Sequence, residues 1–250
     1  SDAAVSVINT TTNAVDATIS VGDGPRAIAF DSANNRMYVT NSLTTTVSVI
    51  NTTTNAVDAT ISLTSSPQGI AFDSANNRMY VANFGDDTVS VIDTSDNTVT
   101  APITVGNGPY GIEFDSANNR MYVANLNDDT VSVIDTSDYS VIDANGVAAG
   151  TAIDVGDAPR HIAFDSANNR MYVANFNDDT VSVIDTSDYS VIDANGVAAG
   201  TAIAVGNGPR DIEFDSANNR MYVANFNDDT VSVIDTSDNT VTATITVGDR

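Results

Sequence analysis

Pro25, Pro67, Pro109, Pro159 and Pro209 each open a short segment of one pattern but differing content: "RAIAF", "QGIAF", "YGIEF", "RHIAF" and "RDIEF". The variable positions supply Arg26, Arg160 and Arg210 together with Glu113, His161, Asp211 and Glu213. His161 is the only histidine. Histidine is the side-chain type that titrates near neutrality, so beside a carboxylate it is the one candidate here for general acid or base work. The arginines are the groups a small ligand or a protein partner would engage. These residues are expected to ring the mouth of a central channel, and a plainer role fits them, since polar side chains at a wet mouth need no catalytic reason.

A second set is acidic. Asp86-Asp87, Asp128-Asp129, Asp178-Asp179 and Asp228-Asp229 recur at equivalent positions, with Thr44-Thr45 in the first copy. Clustered carboxylate oxygens suit a hard cation such as Ca2+, and Asn83, Asn125, Asn175 and Asn225 lie nearby in sequence. The calcium-loop pattern with its fixed Gly and terminal Glu is absent, and turn chemistry accounts for the same pairs. The sequons "NTT" at Asn9 and Asn51 are candidates for glycan attachment, with an Asx turn as the alternative.

Other chemistries are excluded by what the chain lacks. One histidine cannot build a multi-histidine metal or haem site, cysteine is absent, and there is neither a GxSxG elbow nor a glycine-rich phosphate loop. Thirty-three acidic residues face nine basic ones, all arginine, for a net charge of −24. Such a surface repels phosphate backbones, so nucleic acid and anionic membranes are not expected partners. No apolar run is long enough to cross a membrane, and "SDAAVSVIN" lacks the layout of a signal peptide, so any export signal is expected to have been removed.

The elements that would carry these residues follow from repetition. "DSANNRMYV" stands at Asp31, Asp73, Asp115, Asp165 and Asp215, at intervals of 42, 42, 50 and 50 residues. In the unit from Pro67, "QGIAF", "RMYVAN", "TVSVID" and "TVTAPITV" are β-rich runs separated by the turn formers "DSANN", "FGDD" and "TSDN". Met37 and Val39 alternate with Tyr38, so both faces are apolar and each four-stranded meander must lie between two neighbours. That environment is a β-propeller blade. Within "DSANNR", Asp31 is expected to start the turn, Asn34 and Asn35 to tolerate left-handed backbone, and Arg36 to meet an aspartate of a neighbouring blade, with Arg78, Arg120, Arg170 and Arg220 alike. Five identical copies cannot form one asymmetric catalytic site.

"YVTN" stands at Tyr38 to Asn41, and "YVAN" ends at Asn83, Asn125, Asn175 and Asn225, followed by "TVSVI" and a "VGxGP"-type turn. The chain resembles the YVTN-repeat β-propeller family, which includes archaeal surface-layer proteins, over essentially its whole length. The resemblance implies fold strongly and function weakly. The expected fold is all-β, a single propeller domain over 1–250, with a half-blade at 3–22 and blades at about 25–64, 67–106, 109–156, 159–206 and 209–248. Five corners against six copies of "VSVI" favour six blade positions, the first incomplete. Eight extra residues in "SVIDANGVAAGTAI", at Ser140–Ile153 and Ser190–Ile203, carry the turn dipeptides Asn145-Gly146 and Asn195-Gly196. They are expected to lengthen the connection from third to fourth strand.

The leading expectation is a non-enzymatic, exported module of the cell surface: a surface-layer, adhesin-like or fibre-forming protein. Its partners would be copies of itself or other surface proteins, with a glycan where the sequons are used, and it would need no cofactor, Ca2+ being the one ion the acidic pairs would suit. Residues 115–153 and 165–203 differ only at Leu126 versus Phe176, so repetition adds surface and not reactive groups. Resemblance to catalytic propellers implies the alternative, a lyase or lactonase with a divalent ion beside Glu113 or Glu213, or a ligand site at the channel mouth.

Overall fold

The computed structural model describes residues 3–142, 152–192 and 202–248. The chain divides into two compact units, Ser1–Pro102 and Ile103–Arg250. In the first, β1 (Ala4–Asn9) and β2 (Ala14–Ser20) pair as a two-stranded sheet. A four-stranded antiparallel meander follows, from β3 (Pro25–Asp31) through β4 (Arg36–Asn41) and β5 (Thr46–Asn51) to β6 (Ala56–Ser62). The next contains β7 (Pro67–Asp73), β8 (Arg78–Asn83), β9 (Thr88–Asp93) and β10 (Thr98–Val99).

The second unit opens on β11 (Ile103–Thr104) and holds three such sheets. The first contains β12 (Pro109–Asp115), β13 (Arg120–Asn125), β14 (Thr130–Asp135), β15 (Val141–Ile142) and β16 (Ile153–Asp154). The next contains β17 (Pro159–Asp165), β18 (Arg170–Asn175), β19 (Thr180–Asp185), β20 (Val191–Ile192) and β21 (Ile203–Ala204). The last contains β22 (Pro209–Asp215), β23 (Arg220–Asn225), β24 (Thr230–Asp235) and β25 (Thr240–Thr246). The first strands β12, β17 and β22 lie side by side, as do β3 and β7 in the other unit.

The repeated corner forms because one carboxylate organises it. Asp31 is buried; its Oδ1 accepts the backbone N–H groups of Ala33 (2.9 Å) and Asn34 (3.1 Å), and its Oδ2 accepts from Asn34 Nδ2 (2.8 Å). Asn35, not Asn34, takes the left-handed backbone, at φ 52°, where Asn is tolerated better than most residues. The same geometry recurs at Asp73, Asp115, Asp165 and Asp215.

Alternation along the second strand joins neighbouring sheets. Tyr38, Val47 and Val49 bury against Ile70, Met79, Val81 and Ile92 of the following sheet, whereas Val39 and Met37 pack back on Val5, Val7 and Ile19 of the β1–β2 hairpin. Apolar area removed from water on both faces drives this stacking. The Asn that ends each second strand is a buried cross-brace. Asn125 Nδ2 donates to Thr130 Oγ1 (3.0 Å) and Ser132 Oγ (2.9 Å), and a Cβ on Gly106 would stand 2.5 Å from that amide nitrogen. The glycine of the preceding turn is therefore the space this brace occupies.

Three expectations are corrected. The extra residues do not lengthen the third-to-fourth turn, which closes tightly with Tyr139 N–H donating to Asp135 O (2.9 Å). They fall between β15 and β16, both of which pair with β14, and the next sheet repeats this with β20 and β21 on β19. An edge strand tolerates such an interruption because no further strand depends on its register. The Asn145-Gly146 and Asn195-Gly196 turns lie outside the described residues. "TVTAPITV" is likewise not one strand: β10 ends at Val99, three residues before Pro102, whose ring nitrogen has no hydrogen to give a ladder. Finally, Arg120 and Arg220 meet Asp135 and Asp235 of their own sheets, at 2.8 Å in the first case. Cross-strand register sets each arginine directly opposite that aspartate. Arg170 does reach the following sheet, through Thr236 O (3.3 Å) and Asn239 Oδ1 (3.4 Å).

Candidate functional site

The side-by-side first strands of the second unit bring six of the seven variable residues onto one set of elements. Arg160 and His161 stand on β17, Arg210, Asp211 and Glu213 on β22, and Glu113 on β12. The close approach depends on Gly111, where a Cβ would stand 2.2 Å from Arg160 O and 2.9 Å from His161 Cα. Arg26 occupies the equivalent place on β3 in the other unit, exposed.

His161 Nδ1 lies 2.9 Å from Asp211 Oδ1. The hydrogen bond from His161, helped by its charge, holds the Asp211 carboxyl below the usual range, against the opposing effect of burial. Glu113 behaves oppositely. Burial pushes its carboxyl up to about 8, and the like charge of Glu213 adds to the rise. Glu213 is raised too, by burial and then by Asp211, with His161 opposing. The cluster therefore sets a carboxyl that keeps its proton at neutral pH near an ionised carboxylate paired with a histidine. This separation of protonation states is one that acid and base chemistry or ligand binding can use.

Aromatic rings flank the cations. The Arg160 guanidinium lies 4.0 Å from the Phe176 ring centroid and 5.5 Å from that of Tyr110, and Arg210 lies 4.8 Å from that of Phe226. Tyr110 also meets His161 edge-on, at 6.1 Å between centroids. Burial and the nearby Arg210 depress the affinity of Arg160 for its proton. Tyr110, Phe176 and Phe226 were not singled out as site residues. The signal was in the sequence, because Leu126 versus Phe176 is the one difference between the near-identical stretches and Phe176 is the ring that covers Arg160.

The acidic pairs act on neighbouring turns. Asp128, Asp178 and Asp228 accept the backbone N–H of Asn107 (2.7 Å), Asp157 (2.7 Å) and Asn207 (2.6 Å). Asp129 and Asp179 accept from Ala158 (2.9 Å) and Gly208 (2.8 Å) of the following sheets. Asp87, Asp129, Asp179 and Asp229 have φ between 52° and 58°, and Thr45 in the first copy has φ 52°; Asp86 precedes the first of these. Among the described residues, no three His, Asp or Glu side chains gather where one metal ion would reach them. At the sequons, Asn9 Oδ1 accepts from Thr11 N (2.9 Å) and Thr12 N (3.2 Å), and Asn51 Oδ1 from Thr53 N (2.9 Å) and Thr54 N (3.2 Å). Each amide also donates to an aspartate, Asp16 or Asp58, so both asparagines form Asx turns.

Four-stranded antiparallel meanders, repeated with their first strands adjacent, define a β-propeller protein. Residues 7–140 and 112–198 match the family described as "Lactonase, 7-bladed beta-propeller". These stretches cover most of the sequence, and the chain belongs to that family. Among solved structures, it is similar to hydrazine synthase of Kuenenia stuttgartiensis, with 16% identity and a TM-score of 0.64 over 97% of this chain and 90% of that one. It is also similar to a chain of a nidogen/laminin complex, with 12% identity and a TM-score of 0.69 over 96% and 88%. At these identities the likeness carries the fold alone. No curated protein sequence matches the chain.

Proposed function

We propose that the protein is a non-enzymatic interaction module of the cell surface, a YVTN-type propeller of five blades and a half-blade that assembles with other chains through exposed apolar blade faces. The observation that carries this reading is apolar surface left open where the repeat elsewhere closes it. Ile28 is 49% exposed, whereas its equivalent Ile70 is 8% exposed. Tyr222 is 38% exposed, whereas Tyr38, Tyr80, Tyr122 and Tyr172 are fully buried. Ile8 and Val15 on the β1–β2 hairpin are exposed as well. Contiguous exposed apolar surface marks interaction sites, and two unlike faces that repeat the two halves of one interface suit head-to-tail association. Export, a surface-layer or adhesin-like role and use of the sequons belong to the same proposal. Electron micrographs of the purified chain test it: periodic or end-to-end assemblies support the reading, and isolated particles at every concentration refute it.

A second reading, a lactone-hydrolysing enzyme or a ligand-binding propeller, is favoured by family membership and by the His161–Asp211 pair beside the protonated Glu113. Hydrolysis would require water activated by His161, with Arg160 or Glu113 stabilising the developing oxyanion. Assay of simple γ- and δ-lactones with the wild type and His161→Ala tests it. Turnover lost in the variant would favour the enzyme, and equal rates would dismiss it.

A further inference from the structure

The turn that leads into β22 carries the dipeptide Asn207-Gly208. Glycine has no side chain to hinder ring closure, so its nitrogen can attack the Cγ of a preceding asparagine. The new C–N bond closes a succinimide, ammonia leaves with the amide proton, and water then opens the ring to aspartate or isoaspartate. Asn207 is exposed to that water, whereas Gly208 is buried.

The groups that ring closure would have to move are held by three partners. Gly208 N–H donates to Asp179 Oδ1 of the preceding blade (2.8 Å). Asn207 N–H donates to Asp228 Oδ2 (2.6 Å), and Asn207 Oδ1 accepts from Asn227 Nδ2 (2.8 Å). Packing favours glycine at 208, because φ is 66° and a Cβ would stand 2.4 Å from Asn227 Nδ2 and 3.2 Å from Phe176 Cε2. The turn one blade earlier shows how the aspartate product would sit. There Asp157 makes the same contacts, its N–H donating to Asp178 Oδ2 (2.7 Å) and its Oδ1 accepting from Asn177 Nδ2 (3.0 Å). Aspartate therefore fits at 207. Isoaspartate adds a carbon to the main chain and pushes on Pro209 and Arg210, where β22 lies beside β17.

We infer that Asn207-Gly208 is a latent deamidation site, which Asp179 of the preceding blade keeps closed by holding the nitrogen that would attack. The carboxylate is far too weak a base to take a backbone amide proton, so its effect is to fix that N–H as a donor. Parting of the two blades frees Gly208, and the reaction then runs at the rate of an unrestrained Asn-Gly turn. Local opening, and not the dipeptide alone, therefore sets the rate. The second aspartate of the acidic pair thereby has a chemical role as well as a turn-forming one. An isoaspartate formed at 207 would mark each opening irreversibly and displace Arg210 from Phe226.

The test follows conversion of Asn207 in the intact chain by mass spectrometry, in mildly alkaline buffer made with heavy-oxygen water. Fragment ions separate Asn207 from Asn195, which lies in the same tryptic peptide. A synthetic peptide with the sequence of residues 203–214 supplies the unrestrained rate. The folded chain should react at least about tenfold more slowly than this peptide. Asp179→Gly removes the carboxylate and suits the left-handed backbone there, at φ 58°. It should speed conversion roughly tenfold, as loss of a hydrogen bond to a charged group does. Asp129→Gly is the same change one blade earlier, where Ala158 follows an aspartate, and should leave Asn207 at the wild-type rate. Hydrogen exchange at Gly208 needs no variant and should be slow in the wild type. Conversion of the wild type at the peptide rate, or fast exchange at Gly208, overturns the inference. So does a folded Asp179→Gly chain that reacts no faster, or an equal acceleration by Asp129→Gly.

Discussion

The Tyr38 hydroxyl donates to Asn97 Oδ1 over 2.7 Å, tying one blade to the next. The equivalent hydroxyl of Tyr122 is buried and meets no acceptor among the described residues, because Tyr189 stands where Asn97 would be. Two chemically identical substitutions should therefore have different effects. Tyr38→Phe is expected to cost about 1 kcal/mol, with an acceptor left unpaired. Tyr122→Phe removes an orphaned polar atom and should be neutral or stabilising by up to about 1 kcal/mol. Urea unfolding of the two variants, with unchanged m-values, is the measurement.

Gly111 separates packing from chemistry at the variable cluster. Its missing Cβ is what lets β12 approach the Arg160 carbonyl. Gly111→Ala should destabilise the chain by about 1–3 kcal/mol, as overpacking does, and should shift the amide and imidazole resonances of His161. An unchanged thermal midpoint and spectrum would show that the two strands have room the geometry does not indicate.

The raised Glu113 carboxyl gives stability a pH dependence of definite sign. An ordinary glutamate releases its proton near 4.5, whereas Glu113 in the folded chain holds it to about 8. Between those values the folded state binds more protons than the unfolded one, so unfolding free energy falls as pH rises through the window. Glu113→Gln should remove that loss. A gain of about 1–2 kcal/mol at pH 8.5 and almost none at pH 4 is expected, the full shift being reduced by solvent screening. Parallel denaturation curves at the two pH values check it.

The fold was legible in the sequence because each blade repeats the same signals: a turn-forming aspartate, a Met-Tyr-Val alternation and an Asn brace. The β1–β2 pairing was legible for the same reason, as "AVSVIN" and "AVDATIS" repeat the strand sequences of β5 and β6. The placement of the extra residues was not. Asn-Gly reads as a hairpin turn wherever it occurs, but the tight Asp135–Tyr139 closure had already used the turn position. At the variable cluster, the residue types could be read, and so could their shared register after each proline. The aromatic cover on Arg160 and the proximity of Glu113 to Glu213 depend on how closely neighbouring strands approach, which Gly111 controls and no spacing along the chain reveals.

If exposed apolar blade faces join chains together, sedimentation velocity over a hundredfold range of concentration will show it. The wild type should form larger species as concentration rises, while Ile8→Asp and Tyr222→Asp, both at exposed positions on the open faces, should remain monomeric. A wild type that stays monomeric throughout, or assembly unaltered by both substitutions, would contradict the account.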